Sequence, residues 1–293
     1  MAHRDDRVGK LPDNEEIESC DAAGFAALVP SLLLRLSKRL GPESVEGDEG
    51  AAQATTNIII SRSAEPPTIA VLSSAIINPI KTSQDFHLAW IVLGDIIGTL
   101  PLQSLSHYRQ ALQTLANRDP NEGCPQDLTI SSLIAYAKDL ILFVDSPDLA
   151  WAPKHKADDV AIRSLTERVH SAEQMKPHVP DLLSWLADIN WPPYTPCVEQ
   201  LARFPEATVE PIRDVLSSDT DDVEWLMRIL EFLQNKVPVW PLWEGLRPQL
   251  EGLIEKYGEA RDEPTEEMVE VAKSCMRKLH LWTVLKAKGV ETI

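Results

Sequence analysis

Apolar residues in this chain recur at spacings of three and four, and runs that alternate apolar and polar with a period of two are absent. That pattern puts hydrophobic side chains on one face of a helix and leaves nothing to cover the face of a sheet. The fold class that follows is all-α. Helical patterns run over Asp21–Leu40, Thr68–Ile80, Gln84–Thr99, Ser104–Ala116 and Leu128–Val144, and resume at about Asp158. The β-branched runs N-I-I-I at 57–60 and T-I-A-V-L at 68–72 are short enough to belong to buried helices. Prolines and small polar residues punctuate the patterns. Helices of ten to twenty residues joined by tight, proline-marked turns predict stacked antiparallel pairs, an α-α superhelix or helical-repeat solenoid.

The organisation expected is a disordered tail over 1–18, a helical region over 19–148 with a mobile loop at 41–56, and a second helical domain over 153–288. Asp145–Lys156, with two prolines, is the natural boundary, and seven of the eight tryptophans lie at or beyond Trp151.

Local chemistry predicts several helix ends. Pro180 suits a first turn, Asn190 a left-handed cap, and Trp191 a capping contact on Leu186. Thr195 followed by Pro196 reads as an N-cap and first-turn proline. Pro211 marks the first turn or a bend of a helix over Ala207–Leu216. Asp221 and Glu224 have capping-box spacing. Gly258 ends one helix, and Thr265 begins the last.

Composition narrows function. With 28 basic and 45 acidic residues the net charge is −17, and residues 178–270 alone hold 7 basic against 20 acidic. Binding to phosphate backbones depends on cations, so nucleic acid and anionic membranes are excluded as main partners, and a charged partner of this surface should be basic. The charged amino terminus lacks a signal-peptide pattern, and Phe86–Leu100 is too short to span a bilayer. Cys20, Cys124, Cys197 and Cys275 form neither a C-x-x-C pair nor a metal-ligand spacing, which points to reduced thiols and a cytoplasmic location.

From Pro153 to about Leu279 the sequence resembles the HEAT-like family called domain of unknown function 5071. The resemblance rests on P-K-H-K-A-D-D at 153–159, L-L-S-W-L-A-D-I-N-W-P at 182–192 and F-P-E-A-T-V-E-P-I-R-D-V-L at 204–216. It implies an all-helical, HEAT-like fold and no established activity. Residues 211–233 also resemble a single HEAT repeat, two helices around an aspartate-rich turn. Residues 1–150 lie outside the resemblance.

Two groups of residues are candidates for a site. Trp185, Trp191, Trp225, Trp240 and Trp243, with the carboxylates Glu206, Glu210, Asp214, Asp219, Asp221, Asp222 and Glu224, combine aromatics and acids in a set suited to a cationic group or basic helix. Solenoid core and solvated helix ends account for the same residues. Lys154, His155, Asp158 and Asp159, with Lys156, have the ionisable groups of acid-base chemistry, and equally those of a loop that caps a helix. His170, His178 and Glu173 lack the spacing of paired metal ligands, and G-x-S-x-G, P-loop, G-x-G-x-x-G and H-E-x-x-H motifs are absent. No metal or cofactor is expected. The leading expectation is a protein-interaction or adaptor module with an acidic helical-repeat surface. The alternatives are an enzyme of small-molecule metabolism with a pocket between the helical halves, and an immunity-like protein that neutralises a toxin. A small-molecule ligand stays open.

Overall fold

A computed structural model describes residues 14–39, 49–121, 129–237 and 240–289. They are helical, with no strand among the described residues. The chain divides into two units, Met1–Pro147 and Asp148–Ile293.

The first unit contains α1 (Asn14–Ser19), α2 (Ala22–Arg39), α3 (Glu49–Ser61), α4 (Pro66–Ile77), α5 (Ser83–Trp90), α6 (Leu102–Leu105), α7 (Arg109–Ala116) and α8 (Ser131–Asp145). Helix α2 packs on α3 and α4, α4 on α7, and α7 on α8. The β-branched runs at 57–60 and 68–72 lie in α3 and α4, where Ile59 and Leu72 are fully buried. Most of the proposed tail, and residues 41–48 of the proposed loop, fall outside the described residues. Two stretches read as irregular are helical: residues 14–18 lie in α1 and residues 49–56 open α3. Ala52 is buried, so a weakly hydrophobic stretch gains its helix from tertiary packing.

Helix α5 continues through a π-helical stretch, Ile91–Ile96, and a 3-10 turn, Ile97–Thr99. Gly98 allows this irregular end to pack beneath Tyr136, because a Cβ there would lie 2.5 Å from the tyrosine hydroxyl. Tyr108, buried between α4 and α7, donates from its hydroxyl to the Ser63 carbonyl at 2.6 Å, and burial raises its pKa far above the ordinary phenol value.

The second unit contains α9 (Asp159–Arg168), α10 (Ala172–Met175), α11 (Val179–Ser184), α12 (Tyr194–Ala202), α13 (Pro205–Leu216), α14 (Val223–Lys236), α15 (Trp240–Trp243), α16 (Arg247–Tyr257) and α17 (Glu263–Ala287). Helix α12 packs on α9, α11 and α13, while α17 packs on both α14 and α16. Leu182, Leu201, Ile212, Leu230, Leu250 and Leu279 belong to one buried cluster. Cys197 and Cys275 lie in the same cluster, their thiols pushed up to about 12 and about 11 by burial. Neither is poised for nucleophilic chemistry.

Several helix ends differ from the sequence expectations by a residue or more. Helix α12 begins at Tyr194 with Pro193 as its N-cap, so Thr195 and Pro196 lie within the first turn. Helix α13 begins at Pro205, whose ring suits the first position, and Pro211 is an interior residue. The cap of α14 is Asp222, which accepts from the Trp225 amide at 3.0 Å, and Asp221 faces Lys256 at 3.6 Å. Asp262 caps α17 by accepting from the Thr265 amide. Gly258 follows α16 as expected, with φ of −64°. Its value there is steric, since a Cβ would lie 2.5 Å from the Ile254 carbonyl oxygen.

Candidate functional site

The P-K-H-K-A-D-D and W-L-A-D-I-N-W-P stretches form one structural feature. Helix α11 runs into a 3-10 turn, Trp185–Ala187, which places the Trp185 indole against the loop that precedes α9. Trp185 Nε1 donates to the Pro153 carbonyl at 2.8 Å. Trp191 then packs edge-on against Trp185, with ring centroids 5.4 Å apart at 74°. Lys156 places its ammonium 4.9 Å from the centre of the Trp191 ring, in cation–π geometry. Trp225, in the first turn of α14, donates from Nε1 to the Leu183 carbonyl at 2.8 Å.

The expected left-handed cap at Asn190 does not form, because no non-glycine residue among those described has a left-handed backbone. Asp188 makes the turn. Its Oδ1 accepts from both the amide and the side chain of Asn190, at 2.8 and 3.1 Å, and its carbonyl accepts from the Trp191 amide at 3.0 Å. An aspartate that binds the amide two residues on supplies locally what a left-handed asparagine supplies elsewhere. The turn brings the Trp191 ring against that of Trp185.

Asp158 anchors the loop. Only 3% exposed, its carboxylate accepts from the Ala161 amide at the start of α9 and from the Lys154 amide, both at 3.1 Å. It therefore caps a helix and ties the preceding loop to it. Lys154, His155, Lys156 and Asp159 are exposed around this anchor.

The acidic group lies elsewhere in the unit. Glu206 is in the first turn of α13, and Asp219, Asp221 and Asp222 are in the turn between α13 and α14, all exposed. Lys256 approaches Asp221 and also the Tyr257 ring, whose hydroxyl reaches the Thr220 carbonyl. Of the tryptophans grouped with these acids in the sequence, Trp225 lies beside them, its amide donating to Asp222 at 3.0 Å. Trp243 is 2% exposed, with its indole nitrogen bonded to the Val237 carbonyl, and the side chain of Trp240 lies outside the described residues. Trp185, Trp225 and Trp243 thus satisfy main-chain carbonyls within the fold. Among the described residues, His170, His178 and Glu173 do not converge to ligand distance. Burial holds the His178 pKa below the ordinary histidine value, against the opposing pull of Asp181.

Sequence reasoning missed Trp185 as the centre of this feature, and it missed Arg203. The Arg203 guanidinium donates to the Leu165 and Val169 carbonyls at 3.1 and 2.6 Å, closing the carboxy-terminal end of α9. A cation reaching exposed helix carbonyls also complements the helix dipole.

Residues 151–276 match the model of a family described as a domain of unknown function (DUF5071). The match takes in the loop at 153–159, the Trp185–Trp191 turn and the helices through most of α17. The first unit lies outside it. No curated protein and no solved structure matches the chain.

Within the residues that match this family model, Trp191→Ala should lower stability by about 1 kcal/mol, because the ring is half-buried and makes one aromatic and one cationic contact. Urea unfolding followed by fluorescence measures this. Full stability in that variant would count against a packing role.

Proposed function

We propose that the DUF5071 region is a HEAT-like helical superhelix that serves in the cytoplasm as a protein-interaction module, its acidic turn receiving a Lys/Arg-rich segment of a partner. The observation that carries this reading is the turn between α13 and α14. It presents Asp219, Asp221 and Asp222 to solvent, and Asp219 has no ion-pair partner among the described residues. Unpaired carboxylates raise local negative potential and steer cationic partners, and the net charge of −13 over residues 178–270 extends that field. Helix, exposed acidic turn and helix, as in α13 and α14, is also the unit from which a helical-repeat surface is built.

Affinity capture from native lysate, with captured proteins identified by mass spectrometry, tests the proposal. Asp219→Lys with Asp221→Lys should reduce recovery of the captured partners about tenfold, as should about 0.5 M salt. Asp222 is left intact because it caps α14. The partners should carry basic segments. Equal recovery by the parent and the double variant at low salt would sink the proposal.

A further inference from the structure

The first unit has a cleft of about 420 Å³ between α2, α4 and the start of α5. Its volume is in the range of small-molecule sites, about 300–1,000 Å³. Leu33, Val71, Ile80 and Leu88 make much of its wall apolar, while Ser74, Asn78 and Asp85 add polar groups.

Asp85 is held there by a capping box. Its Oδ2 accepts from the Lys81 amide at 3.0 Å, the Thr82 amide at 2.8 Å and the Thr82 hydroxyl at 2.9 Å. All of these bonds go to one oxygen, and Oδ1 accepts no hydrogen bond from any described residue. The Thr82 hydroxyl, with the two amides, holds this carboxyl below its ordinary pKa, so it is charged at neutral pH. Lys81, exposed to solvent, is the cation that bears on it in the free protein.

We infer that this cleft binds a small organic amine, its apolar body lying between α2 and α4 and its ammonium donating to Asp85 Oδ1. A carboxylate fixed by backbone amides does not have to reorganise to receive the cation, and the apolar walls select against strongly hydrated ones. The ammonium competes with Lys81, so affinity falls as salt rises.

Isothermal titration of the full chain with n-hexylamine, n-hexanol and hexanoate at neutral pH tests the inference. Hexylamine should bind saturably to one site, and hexanol and hexanoate at least about tenfold more weakly. Asp85→Asn keeps a capping oxygen and should weaken hexylamine about tenfold while leaving hexanol unchanged. Ala70→Phe, at an exposed position in the cleft wall, should remove binding without loss of helical circular dichroism. No saturable hexylamine binding, hexanol binding as tightly as hexylamine, or undiminished binding by Ala70→Phe would each overturn it. Should Asp85→Asn fail to fold, the ligand comparison and Ala70→Phe still decide.

Discussion

Trp243→Ala should cost about 4 kcal/mol of stability, the largest effect expected of a single substitution in the second unit. The side chain is 2% exposed and belongs to the same buried cluster as Leu246, Leu250 and Met268. Removing it opens a cavity the size of an indole and leaves the Val237 carbonyl without its donor at 3.0 Å. Trp243→Phe separates these contributions: it keeps most of the apolar area and should cost about 1–2 kcal/mol, near the price of a buried acceptor without a partner. Tryptophan fluorescence reports the transition selectively, because Trp90 is the sole tryptophan before Trp151. A loss below about 1 kcal/mol for the alanine variant would mean that Trp243 is not core, and would return it to the candidate binding residues.

The all-helical architecture was legible because burial writes a periodic signal. Leu226, Leu230 and Leu233 fall on one buried side of α14 wherever that helix begins. Helix ends are less legible, since adjacent residues compete for the same bond. Asp221 and Asp222 are chemically identical candidates for capping α14, and the choice follows from a turn in which Thr220 Oγ1 accepts from the Asp222 amide at 3.2 Å. At Asp188 the spacing D-I-N did carry an aspartate-turn signal, and it was obscured by the stronger association of asparagine with left-handed caps.

The candidate site was the least legible. Its central bond joins Trp185 to Pro153 across 32 residues, and no local periodicity records such a contact. Similarly, a sequence shows that Asp158 can cap a helix but not that it also holds the Lys154 amide. Both roles consume groups that looked free for chemistry. The acids around the α13–α14 turn were visible as composition, and their exposure agrees with solvated helix ends. Whether they also bind is the question put to the double charge reversal.

Trp185→Ala should cost about 3 kcal/mol, less than Trp243→Ala because Trp185 is only partly buried. The loss combines apolar area, the donor to Pro153 and the edge-on contact with Trp191. Trp185→Phe should cost about 1.5 kcal/mol, since the carbonyl of the buried Pro153 then has no indole to accept from. The sharper measurement is a double-mutant cycle with Trp191→Ala. If the loop at 153–159 and the turn at 188–193 are one unit, the double variant should lose about 1 kcal/mol less than the two single losses combined, because their shared ring–ring contact is removed only once. Both single variants should also expose the loop to protease at Lys154 or Lys156, which are already at the surface and held in place by Asp158 and Trp185. Strict additivity, with no added cleavage there, would mean that the loop and the turn lie side by side without supporting one another.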